Sequence, residues 1–237
     1  MSNDYRLSHV NKGATYDETL KSFPFDVYIA TMEQRWLNKI IANTFGSNIG
    51  DYLDFACGTG RIISQLEQFA NYSCGIDISE SMLQFAKNKC RKSDFIQMDI
   101  TRDPSKIDRT FDLITSFRFF GNAQDELREK VLISLRHLLK QDGYLIINNH
   151  RDPGIPRNRL ARKPGAENEM DLTRDKLDRL LDKCGLQTVG EVGMGAWLIH
   201  HRLDKLGVAT SKYLPLLGGR WLTKYCVDYM LILKKRI

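Results

Sequence analysis

Residues 50–66 read GDYLDFACGTGRIISQL. An apolar run ends in Asp54, passes through Ala56-Cys57-Gly58-Thr59-Gly60, and continues into residues spaced as on one face of a helix. Glycines between a strand and a helix let backbone approach a ligand closely. A dinucleotide fingerprint places glycines first, third and sixth. Aligned on Ala56 and Gly58 the sixth position is Arg61, and aligned on Gly58 and Gly60 it is Ile63, so a dehydrogenase is disfavoured. The Gly-Lys-Ser/Thr of a phosphate loop is missing as well. What remains is an acid two residues ahead of a small-x-Gly-x-Gly turn.

Around that turn the chain alternates strand and helix. An apolar helical spacing over 26–45 predicts an N-terminal helix, followed by a strand at 51–55 and a helix through about Phe69. A strand at 72–77 ends in Asp77; Ser79 caps a helix with Met82, Leu83, Phe85 and Ala86 inward. Strands at 94–100, 111–117 and 144–149 follow, the last two separated by a helix over 125–140 and an Asp142-Gly143 turn. After a Pro-, Gly- and Arg-rich loop at 150–170, Thr173 caps a helix to Cys184, and strands near 187–193 and 226–234 close the chain. The expected fold is α/β: a doubly wound, mostly parallel seven-stranded sheet with a C-terminal antiparallel hairpin. The chain reads as a single domain over 1–237, with an N-terminal helical lid (1–48), a ligand-binding core (49–150), and a substrate loop with closing strands (151–237).

Composition narrows the setting. A hydrophobic fraction of 42% against 27% charged residues is that of a globular domain. The net charge of +6 permits an anionic partner without demanding nucleic acid. Five cysteines form no C-x-x-C pair and no metal-ligand spacing, which fits reduced thiols and no metal. The opening MSNDYRLSHV lacks the apolar core of a signal peptide, and no apolar run approaches a membrane span. A cytoplasmic protein is expected.

The acids downstream identify the turn. Asp77 ends the second strand, Asp99 follows the third in QMDI, and 139-LKQDGYLII-147 precedes the fifth. In this order the motifs resemble the class I S-adenosylmethionine-dependent methyltransferases, over residues 50–150. The resemblance implies that the turn passes under the methionine part of S-adenosylmethionine, with Gly58 and Gly60 supplying close backbone and Ala56 and Cys57 completing it. Ala56 departs from the family's more usual glycine by one methyl group. The resemblance implies that Asp54 faces the cofactor's amino group, where an acid suits a cation and would repel a pyrophosphate. It also implies that Asp77 accepts from the ribose hydroxyls, that Ile78 and Met82 pack on the adenine, and that Asp99 and the Ile100 backbone bind its edge. Tyr16 and Tyr28, in the leader, are placed to reach the cofactor or to pack on the sheet edge. The product would be S-adenosylhomocysteine.

Acceptors in doubly wound folds lie beyond the strands' C-terminal ends, here 116-SFRFFGNA-123 and 148-NNHRD-152. Ser116 opens the first on the cofactor side. Arg118, among Phe117, Phe119 and Phe120, is a candidate anion clamp or a surface arginine covering rings. His150 is the candidate general base, with a structural histidine as the alternative, and His200 and His201 in reserve. The Asp/Asn-Pro-Pro-Tyr/Phe motif of the amino-methylating branch is absent, which argues against nucleobase amines. SFRFF-GNA with NNH resembles bacterial methyltransferases of polysaccharide and secondary-metabolite pathways. O-methylation of a small hydroxyl-bearing acceptor, an anionic metabolite or sugar included, is therefore favoured. The basic run at 151–163 and the cations at Lys212, Arg220 and Lys224 keep an RNA methyltransferase open. A non-catalytic cofactor-binding protein is the third reading.

Overall fold

The computed structural model describes residues 18, 20–102, 104–150, 152–155, 158–159, 170–196, 223 and 226–236. Helix α1 (Pro24–Phe45) starts with proline in its first turn, where a missing N–H costs nothing. Tyr28, Ile29, Met32, Trp36, Leu37, Ile40 and Ile41 form its buried face, and Glu33 is buried among them. Strand β1 (Asp51–Phe55) leads through the glycine turn to a one-turn helix, α2 (Ile63–Leu66), which tightens into a 3-10 turn over Glu67–Phe69. The helix expected to reach Phe69 is thus only its first half α-helical.

Strand β2 (Tyr72–Asp77) precedes α3 (Glu80–Lys89), whose Ser79 hydroxyl accepts from the Met82 N–H at 3.4 Å. Met82, Leu83 and Ala86 point inward as expected, but Phe85 is 41% exposed, one position off the buried stripe. Strand β3 (Asp94–Gln97) is shorter than expected and stands at one edge of the sheet, paired with β2 alone. After β4 (Phe111–Ser116), helix α4 (Asp125–Leu138) runs directly into β5 (Leu139–His150). Asp142-Gly143, expected to be a turn, lies within β5. A register shift between Phe111 and Leu113 absorbs the irregularity, and a Cβ on Gly143 would stand 2.8 Å from the Phe111 carbonyl oxygen. Helix α5 (Arg174–Lys183) is capped by Thr173, and β6 (Leu186–Ala196) and β7 (Cys226–Lys235) complete the sheet.

The strand order is β3-β2-β1-β4-β5-β7-β6. The first five strands are parallel, and β7 runs antiparallel to both β5 and β6. One core layer packs α1 and α2 on the sheet through Trp36, Ile40, Ile63, Leu113, Ile146 and Met230. On the opposite face, Leu127, Val131, Leu135, Leu177 and Leu181 of α4 and α5 pack on Ile114, Leu145 and Leu231. This is the doubly wound sheet with an antiparallel C-terminal pair, and it brings the C-terminal ends of β1, β2, β4 and β5 to one edge with the start of β7. Among the described residues no helix is long and apolar enough to cross a membrane.

Candidate active site

The site grows from the end of β1. Ala56 (φ 54°), Gly58 (φ 54°) and Gly60 (φ 76°) all take left-handed backbone, which reverses the chain within five residues. The two glycines serve different ends. A Cβ on Gly60 would lie 3.0 Å from Ala86 Cβ and 3.1 Å from its Cα, so this glycine lets the turn press against α3. A Cβ on Gly58 would meet nothing within 4 Å, because that side of the turn opens into a pocket.

The pocket is lined by Phe55, Ala56 and Gly58 from the first turn, Asp77, Ile78 and Met82 from the β2–α3 junction, and Met98, Asp99 and Ile100 after β3. Phe117, Arg118 and Phe119 stand on the β4 side, with Leu127 and Val131 of α4 behind them. Asp77 fixes the geometry: its Oδ2 accepts from the Gly58 N–H and its Oδ1 from the Ser79 N–H, both at 2.9 Å. Asp77 thus braces the turn while its carboxylate, an acceptor-only group, lines the pocket. Asp99 Oδ1 accepts from the N–H and hydroxyl of Thr101 at 3.0 and 2.7 Å, which fixes its carboxyl at the apolar end of the pocket. Ile78, Met82, Met98 and Ile100 make that end a slot for a flat apolar ring.

Asp54, Cys57, Gly60 and Ser116 lie beneath this surface and do not line it. Asp54 is buried; its Oδ2 accepts from the Ile63 N–H at 3.1 Å and its Oδ1 from the Thr115 hydroxyl at 2.7 Å, with Tyr52 hydrogen-bonded to that hydroxyl in turn. Burial pushes its carboxyl up to about 7, although the Thr115 and Ile63 donors pull the other way. The Cys57 thiol points at β2, 2.9 Å from where a Gly75 Cβ would be, and burial pushes its pKa well up. Ser116 is fully buried at the end of β4, and its hydroxyl has no partner among the described residues. Tyr28 is buried in α1, its ring 3.6 Å from where a Cβ on Gly195 would stand, and it does not line the pocket. Tyr16, His200, His201 and most of the basic loop fall outside the described residues.

On the acceptor side, Arg118 has φ 59°, a strained conformation for a side-chain-bearing residue. Its N–H donates to Asn148 Oδ1 at 2.6 Å, and its guanidinium pairs with Asp26 of α1 at 3.0 Å. The cation read from sequence as an anion clamp or as a cover over rings is therefore engaged by a carboxylate of the N-terminal helix. His150 ends β5 with its ring packed against Gly121, 3.0 Å from where a Cβ there would sit. Asn149 faces the opposite side of the sheet, donating to the Leu172 carbonyl and the Tyr229 hydroxyl at 2.8 and 2.9 Å.

Sequence reading missed the residues that join these parts. Glu33, fully buried in α1, pairs with Arg61 at 2.5 Å and accepts from Asn148 Nδ2 at 3.1 Å. Arg61 directly follows the glycine turn, so Glu33 ties that turn to the end of β5. The signal was present: an acid within the apolar stripe of a helix, and Asp228 within the apolar run CVDYMLI.

Residues 53–147 match the family model described as a methyltransferase domain. A Bacillus subtilis (strain 168) protein named as a methyltransferase, YqeM, is 29% identical over 144 residues, which cover 58% of this chain and 53% of YqeM. The chain thus spans about half the length of the curated relatives it matches. Among solved structures, an S-adenosylmethionine-dependent methyltransferase from Clostridium acetobutylicum ATCC 824 superposes with a TM-score of 0.61 at 17% identity, over 89% of this chain and 92% of that one. The DhpI complex with S-adenosylhomocysteine superposes with a TM-score of 0.62 at 17% identity, over 98% and 93%. At that identity the likeness is one of fold.

Proposed function

We propose that this chain is a class I S-adenosylmethionine-dependent methyltransferase, a reading supported by the methyltransferase-domain match over 53–147, and that it methylates a hydroxyl of a small metabolite or sugar and releases S-adenosylhomocysteine. The observation that carries this reading is the convergence of Gly58, Asp77, Ile78, Met82, Asp99 and Ile100 on one pocket at the C-terminal ends of β1, β2 and β3. Its parts fit the cofactor chemically. The open side of Gly58 leaves room for the methionine part, Asp77 brings a carboxylate, the acceptor that ribose hydroxyls require, to the pocket wall, and the apolar slot ends in the Asp99 carboxyl. Asp54 acts from below, holding the turn through Ile63.

When bound, S-adenosylmethionine supplies a methyl group carried on a positively charged sulfur. The chain's own contribution is to align an acceptor oxygen with that group and to exclude water. Phe117 and Phe119 wall the β4 side of the pocket, and the Arg118–Asp26 pair ties the start of α1 to that side. His150, at the end of β5, takes the hydroxyl proton in this reading. A screen of methyl-labelled cofactor over hydroxylated metabolites, phosphosugars and RNA tests it. Label in a small hydroxylated compound is expected; label in RNA alone would replace this reading with the RNA one.

A further inference from the structure

Beneath α1, at the edge where β5 ends and β7 begins, two guanidinium groups and three carboxyl groups face one another. Arg118 is paired with Asp26 and Arg61 with Glu33, while Glu33 also takes the Asn148 amide. The third carboxyl, Asp228, forms no ion pair among the described residues, although Arg118 and Arg61 act on it from nearby. It is 3% exposed, and its Oδ1 has no hydrogen-bond partner among the described residues. Its surroundings are defined on every side described: Glu33 from α1, Arg61 from the glycine turn, Arg118 from the β4 loop, His150 opposite it on β5, and Met194 opposite it on β6. Directly opposed residues in an antiparallel pair hold their Cβ atoms about 5 Å apart, so Asp228 stands beside the candidate base. Burial and the Glu33 charge both raise its pKa.

A buried carboxyl oxygen without a donor is costly to keep. Here it sits at the strand ends where acceptors of this fold lie, next to arginines that are already neutralised. We propose that Asp228 is an acceptor-binding residue whose free oxygen receives a hydrogen bond from a hydroxyl or ammonium group, so that this site selects protic, neutral or cationic acceptors over anions. The proposal rests on the methyltransferase reading for its location. It sets aside the anion-clamp reading of Arg118: Asp26 already pairs with that guanidinium, and the orphaned atom near it is an acceptor.

The test uses two probes of equal size that share a hydroxyl and differ in charge, ethanolamine and glycolate, titrated into the full chain with S-adenosylhomocysteine and followed by amide NMR. Shifts of the Gly58 and Gly60 amides on adding S-adenosylhomocysteine are recorded first; their absence would count against the cofactor reading itself. Ethanolamine is then expected to give saturable shifts at the Asn148 side-chain amide and at the Asp228 and Tyr229 backbone amides, with glycolate at least tenfold weaker. Asp228→Asn is expected to weaken ethanolamine at least tenfold without lowering the melting temperature. Absence of saturable ethanolamine shifts, glycolate binding as tight as ethanolamine, or unchanged ethanolamine binding in Asp228→Asn overturns the proposal. So does a lowered melting temperature, which would make Asp228 a structural residue.

Discussion

Asp54→Asn replaces a titrating carboxyl beneath the glycine turn with an amide, and its main expected consequence is a changed pH dependence of stability. The wild-type carboxyl titrates near 3.8 in the unfolded chain and at about 7 in the fold, because burial disfavours its charged form. Between those values the folded state holds the proton and the unfolded state releases it. Stability from this group therefore falls as pH rises through that window. At 1.36 kcal/mol per pKa unit, a gap of about three units amounts to about 4 kcal/mol lost between pH 4 and pH 8. Asparagine has no such window. Its amide oxygen can accept from the Ile63 N–H while its NH2 donates to the Thr115 hydroxyl, which leaves one proton of the Tyr52–Thr115 pair without an acceptor. That orphan costs about 1–3 kcal/mol at every pH. Urea unfolding followed by tryptophan fluorescence from pH 4 to 8 separates the two effects. The wild type is expected to lose about 4 kcal/mol relative to the variant across the range, over a constant offset. Parallel profiles would refute the claim that Asp54 is buried without charge compensation.

Three further outcomes are expected. Gly60→Ala puts a methyl group against Ala86 in a left-handed backbone, and should destabilise the fold by about 2–4 kcal/mol in the same unfolding assay. Arg128→Ala should cost a similar 2–4 kcal/mol, because this fully buried guanidinium donates to the Phe120 and Met170 carbonyls and pairs with Asp125. His150→Ala should lower turnover in the labelled-methyl assay by about 10²–10⁴-fold while leaving S-adenosylhomocysteine affinity within twofold, since His150 does not line the cofactor pocket.

The parts of the site that sequence revealed are those with local causes. Gly58, Gly60 and Asp77 stand at fixed distances from strand ends, and their backbone roles follow from a turn of five residues. Strand and helix identities followed equally from local apolar spacing. Three misplacements share a cause outside the local pattern. Phe85 turned outward because α3 buries a narrow stripe, Asp142-Gly143 was drawn into β5 by pairing with β4, and Arg118 was neutralised by Asp26, 92 residues away. Asn148 and Glu33 are 115 residues apart, and no spacing rule announces such a pair. What sequence offers is an anomaly, a charge where the pattern calls for an apolar residue. Both Glu33 and Asp228 carry that mark.

The account depends most on the identity of the ligand at the glycine turn. Isothermal calorimetry of S-adenosylhomocysteine with the wild type and with Asp77→Ala, each checked by thermal melting, addresses it directly. One saturable site per chain is expected, weakened at least tenfold in the folded variant because the lost carboxylate fixes Gly58 and is proposed to accept from the ribose hydroxyls. No saturable heat from the wild type, or equal affinity in the two proteins, would contradict it.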